Sequence, residues 1–116
     1  MHRFAIVSAR AAECAGMQGH FESMHGQLFE GQSEFGLRPW RDFAMRAGVE
    51  DLQAFDACVS SDAPAQRILT GRHFGDKLEI RSTPTLIVNG WRLNRPPDAK
   101  ELDLIVKNIL AGRKPI

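Results

Sequence analysis

The sulfur and imidazole side chains are the natural starting point, because thiol exchange and metal binding are the chemistries a chain of 116 residues can carry with few groups. There are two cysteines, Cys14 and Cys58, and they do not form a Cys-x-x-Cys pair. Thiol exchange needs an exposed thiolate of lowered pKa, typically at a helix N-terminus with a second cysteine close by in sequence. Cys14 falls deep in one helical stripe and Cys58 near the end of another, positions that raise a thiol's pKa and favour packing or a structural bridge. Two buried thiols, one disulfide, a redox pair and a poorly formed metal pair all remain open from the residues alone. Of the four histidines, His20 and His25 are five apart and fall on different helix faces. His2 and His73 have no ligand neighbours at a recognised spacing. Glu13 reads as a solvated helix residue. No Ser-His-Asp order and no glycine-rich phosphate loop is present. The expectation is no catalytic set, no metal and no cofactor.

Bulk properties narrow the class further. Hydrophobic residues are 43% and charged residues 25% of the chain, the range of an ordinary globular domain. A formal charge of +1 with scattered basic residues gives no motive for a nucleic-acid or membrane partner. No apolar run approaches the roughly 18 residues of a membrane span. The opening Phe4-Ala5-Ile6-Val7 is cut off by Ser8 and Arg10, short of the about 7 to 15 apolar residues of a secretion signal. As encoded, the chain is expected in the cytoplasm; an upstream segment would make it extracytoplasmic.

The first half reads as helices that would position the two cysteines. Phe4, Val7, Ala11, Cys14 and Gln18 recur at helical steps, as do Phe21, Met24 and Leu28, with Phe29 beside them. Gly31 to Gly36 reads as a loop. Pro39 suits a first helical turn, Trp40, Phe43, Ala44 and Ala47 form its stripe, and Gly48 a stop. Leu52, Phe55, Cys58 and Val59 make a short helix. Asp62 is the expected cap of a further helix, with Pro64 in its first turn, Ile68, Leu69 and Leu78 on its stripe, and Gly71 and Gly75 leaving its middle undecided. Trp40, Phe21, Phe29 and Phe43 are expected in the core rather than along a groove.

After Ile80 the pattern changes. Thr85-Leu86-Ile87-Val88 is a continuous apolar, β-branched run, as in a strand buried on both faces. Asn89-Gly90 is a strong hairpin signal, and Trp91 to Asn94 would return. Asp98 and Glu101 form a capping box for a last helix with the stripe Leu102, Ile105, Val106, Ile109 and Leu110. A two-stranded hairpin is marginal alone, yet this strand reads as central. Another chain, the helices or an upstream segment must cover its other side.

Ala11-Ala12-Glu13-Cys14-Ala15, Gln18-Gly19-His20-Phe21 and Leu28-Phe29 resemble the helical insertion of the DsbA-like thioredoxin-fold proteins. Phe55-Asp56-Ala57-Cys58-Val59 resembles that family's Phe-x-x-Cys-Leu segment. Ser82-Thr83-Pro84-Thr85 resembles its Gly-Thr-Pro-Thr strand entrance, with Ser82 in place of the usual glycine. The resemblance runs over the whole chain and implies an α/β, mostly helical class: an incomplete thioredoxin-like fold, with a helical insertion over 1–79 and a β-β-α segment over 80–116. In that family a β-α-β unit carrying Cys-x-x-Cys precedes the insertion, and Met1 falls where the insertion begins.

What the resemblance implies for chemistry is specific. Thr83 and Pro84 match the cis-proline loop, whose backbone holds an extended substrate segment. Cys14 and Cys58 match positions linked by a structural disulfide. The chain is by descent a thiol–disulfide oxidoreductase, but without the dithiol it is not expected to be redox-active as encoded. The partner would be an extended peptide or protein thiol substrate, or a second copy in a homodimer. Two alternatives are a self-associating, non-catalytic binding module and the C-terminal fragment of an active disulfide oxidoreductase.

Overall fold

Small side chains in the first helix decide how closely its neighbours approach. In the computed structural model, which describes residues 3–116, α1 (Ala5–Gly16) buries Ala11, Ala12, Cys14 and Ala15. Against it pack α2 (Phe21–Glu30), α3 (Trp40–Arg46) and α4 (Leu52–Val59), and α3 also touches α2 and α4. Met24, Phe43 and Phe55 fill the space between these helices at 1% exposure or less. Each such side chain contributes about 1.5–3 kcal/mol relative to an exposed one.

The ends of these helices follow from local chemistry. Asp51 Oδ1 accepts the Ala54 N–H at 2.9 Å and caps α4. Gly48 takes a φ of +91° just past α3, and the Val49 N–H then reaches the Ala44 carbonyl at 3.0 Å. Gln18, which the periodicity places on the stripe of α1, lies beyond its end instead. Its side-chain amide donates to the Asp51 carbonyl at 2.9 Å and accepts from the Asp51 N–H at 3.1 Å. Pro39 stands one residue before α3 rather than in its first turn. The loop expected over Gly31 to Gly36 holds a single 3-10 turn, Gln32–Glu34.

α5 (Ala63–Lys77) runs unbroken through Gly71 and Gly75, so neither glycine interrupts it. The Pro64 side chain lies outside the described residues, as does His2. Chain contacts divide the molecule into two compact units, Met1–Phe74 and Gly75–Ile116.

The second unit holds the hairpin and the last helix. β1 (Ile87–Val88) and β2 (Trp91–Arg92) pair antiparallel, with Ile87 opposite Arg92 and Val88 opposite Trp91. Asn89 and Gly90 turn the chain at φ of 48° and 83°, the conformation the Asn-Gly pair was expected to adopt. The expectation of a strand buried on both faces is not met. Among the described residues β1 has one neighbour, β2, and Ile87 is 42% exposed. α6 (Ala99–Leu110) begins with the expected capping box: Asp98 Oδ1 accepts the Glu101 N–H at 2.8 Å, and Glu101 Oε2 accepts the Asp98 N–H at 3.0 Å. Of its apolar stripe only Ile105 is buried, while Val106 and Leu110 are exposed. Beyond α6, Asn108 Nδ2 donates to the Pro115 carbonyl at 3.0 Å and ties the terminus back.

Candidate functional site

The two cysteines meet. Cys14, on the buried face of α1, forms a disulfide with Cys58 in the last turn of α4, with the Cα atoms 5.8 Å apart. Neither is left as a free thiol. Cys14 is 1% exposed, so no incoming thiolate reaches its sulfur. Cys58 is half-buried, and the Met17 sulfur lies 3.6 Å from its Sγ. At the C-terminal end of a helix the unpaired carbonyls disfavour a thiolate. This arrangement clamps α1 to α4 and offers little to exchange chemistry.

The second set of residues singled out by the sequence lies in the other unit. The Thr83–Pro84 peptide bond is cis. Ser82, Thr83 and Pro84 are exposed, and the Thr85 hydroxyl donates to the Ser82 carbonyl at 2.5 Å across the loop. The chain then enters β1. The loop is exposed and carries no carboxylate, imidazole or thiol of its own.

Two aromatic residues are not where the sequence placed them. Phe43 is core and Trp40 packs against it, but Phe21 and Phe29 are 47% and 68% exposed. With His25 between them, stacked on Phe21 and tilted against Phe29, they line one wall of an open cavity of about 300 Å³, and Ala5, Ala9 and Ala12 of α1 line another. Helical spacing alone cannot separate this outward aromatic row from a buried one. Among the described residues no group of three His, Cys, Asp or Glu side chains gathers as a metal set. The clearest electrostatic perturbation is at α6. There Glu101 accepts hydrogen bonds from Arg95 and from the Asp98 N–H, which lower its pKa to about 2.

A family model described as thioredoxin matches residues 2–108. The chain belongs to the thioredoxin family. This thioredoxin-family chain is 33% identical over 115 residues to a Na(+)/H(+) antiporter NhaA 1 of Mycolicibacterium vanbaalenii. That alignment covers 97% of this chain and 18% of the antiporter. It is 34% identical over 114 residues to the NhaA 1 antiporter of Mycolicibacterium gilvum, covering 97% of this chain and 18% of that protein. Against a NhaA 3 antiporter of Salinispora tropica the identity is 31% over 114 residues, covering 98% of this chain and 17% of the relative. The thioredoxin-family chain thus spans less than a fifth of the length of the curated relatives it matches. No solved structure matches it. Among the described residues, no helix of this thioredoxin-family chain is long and apolar enough to cross a membrane.

Proposed function

We propose that this thioredoxin-family chain is DsbA-like: its Thr83–Pro84 loop holds an extended peptide or protein thiol substrate through backbone hydrogen bonds, and it does not itself exchange disulfides. The observation that carries the reading is that both cysteines of the chain are joined in one bridge, with Cys14 sealed in the core. Exchange requires a thiolate to attack a substrate sulfur and a second thiol to resolve the mixed disulfide. Neither is at hand in this chain. Support for the binding half comes from the family match and from the exposure of residues 82–84. Any thiol chemistry on a held segment then draws on a dithiol from elsewhere.

Titrating the labelled 116-residue chain with an extended, cysteine-containing peptide, followed by amide chemical shifts, tests this reading. Saturable shifts centred on the Thr83 amide are expected. Shifts confined to the aromatic cavity of Phe21 and Phe29, or none at all, contradict it.

A second reading is favoured by the relatives, all of which carry the name of a Na(+)/H(+) antiporter. On that reading the chain serves as the thioredoxin-fold module of such a transporter, and ion movement belongs to other segments. Reading the encoding frame on either side of these 116 codons decides it. Flanking apolar spans of membrane length are expected, and their absence contradicts it.

A further inference from the structure

A third sulfur lies against the Cys14–Cys58 bridge. Cys14 is 1% exposed and sealed in the core, whereas Cys58 is half-buried in the last turn of α4 and is the bridge's approachable end. Met17 follows Cys14 by three residues and keeps helical backbone angles, φ −63° and ψ −20°. The two side chains therefore fall on one face at the end of α1. That register places the Met17 Sδ 3.6 Å from Cys58 Sγ, in van der Waals contact. The backbone beneath the contact is held on both sides. The Met17 N–H donates to the Glu13 carbonyl at 3.1 Å, and the Gln18 amide is fastened to the Asp51 backbone. Met17 is nonetheless 56% exposed, so its outer side is open to a small oxidant. Thiol exchange depends on access to the sulfur attacked, and at Cys58 a thioether stands in the way.

From this geometry we infer that Met17 is a redox-sensitive cover on the bridge: as a thioether it shields Cys58 Sγ from thiols, and once oxidised by a peroxide it uncovers that sulfur. In the first step a lone pair of the Met17 sulfur takes an oxygen from hydrogen peroxide. The O–O bond breaks, the thioether becomes a sulfoxide and the rest of the peroxide leaves as water. The sulfoxide is polar and exchanges its contact with the bridge for water. In the second step the thiolate of a small-molecule thiol attacks Cys58 Sγ, the S–S bond breaks and Cys14 leaves. A second thiol attacks the outer sulfur of the mixed disulfide, which frees Cys58 and releases a small-molecule disulfide. Two thiols are oxidised, one bridge is reduced, and the two protons end on Cys14 and Cys58. The event is stoichiometric and involves no turnover. Its consequence is release of the clamp between α1 and α4 wherever peroxide and thiol are met in that order. The inference goes beyond the peptide-binding reading and can fail without it, because the Thr83–Pro84 loop takes no part.

The test is the rate at which glutathione frees the two cysteines of the folded chain, followed by maleimide trapping and mass spectrometry. Reduction of the unaltered chain should be slow, and at least about tenfold faster after mild treatment with hydrogen peroxide, since exchange rates follow access. Met17→Leu keeps an apolar cover without an oxidisable sulfur, so its bridge should be reduced slowly with or without peroxide. Met17→Ala should be reduced rapidly without peroxide. Met45, 57% exposed on α3, is oxidised alongside, and Met45→Leu should leave the peroxide response whole. Hydrogen exchange at the Ala11 and Ala15 amides of the still-bridged chain should not change on oxidation, which separates uncovering the sulfur from loosening the core. Should Met17→Ala not fold, the peroxide comparison between the unaltered chain and Met17→Leu still decides. Equal rates with and without peroxide, a peroxide response that survives Met17→Leu, or rapid reduction of Met17→Leu without peroxide would each overturn the inference. So would a folded Met17→Ala no faster than the unaltered chain, or core amides that lose protection on oxidation.

Discussion

Cys14 and Cys58 show what a bridge does for a core made largely of alanine. Ala11, Ala12, Ala15, Ala44 and Ala47 bring the helices close but contribute little apolar area each. The disulfide closes a sequence separation of 44 residues, for which the chain-entropy account gives about 4 kcal/mol. Replacing both cysteines by alanine should lower unfolding stability by about that amount in urea titrations monitored by circular dichroism. A second residue-scale effect sits at Glu101. Its folded pKa of about 2 lies below the roughly 4.3 of an unfolded glutamate. The ionised form therefore stabilises the fold above about pH 4.3, and that contribution is lost as pH falls toward the folded value. The stability difference between the unaltered chain and Glu101→Gln should be present at pH 7 and shrink through this acid window, as urea midpoints at stepped pH would show. The pairing of Cys14 with Cys58 was only one of several options from the sequence, because spacing along the chain says nothing about which helix faces meet. The 5.8 Å Cα separation is a product of how α1 and α4 pack.

Elements were legible where their signals are local. The capping box of α6, the Asn89–Gly90 turn and the Gly48 stop each depend on a few neighbouring residues, and each forms as expected. Signals that need a partner were less readable. Gln18 shares the period of α1 but is drawn off to the Asp51 backbone, and Phe21 and Phe29 keep helical spacing while facing outward. Gly71 and Gly75 left the middle of α5 undecided, and the helix continues through both. Glycine lowers helix propensity without forbidding the helix. A Cβ at Gly71 would meet nothing within 4 Å, so Gly71→Ala should stabilise the chain by about 0.5–1 kcal/mol. A raised thermal midpoint checks this; a lowered one would mean that α5 is not helical there.

At the scale of the whole chain, the thioredoxin family, whose model matches residues 2–108, was legible because several motifs occur together in one order along the sequence. The covering of β1 was not. Leu86, Ile87 and Val88 record what the strand is built to pack against, whereas among the described residues its one neighbour is β2. A run of apolar residues states a demand, and only the assembled molecule shows how far it is met. The same distinction governs function, since a thioredoxin-family chain is an exchange enzyme only if a thiolate is available to it. The most direct measurement is the rate at which the purified 116-residue chain accelerates reduction of insulin by dithiothreitol, with a Cys-x-x-Cys thioredoxin alongside as reference. The rate should match that of the reductant alone. Robust, saturable acceleration by this chain would contradict the account.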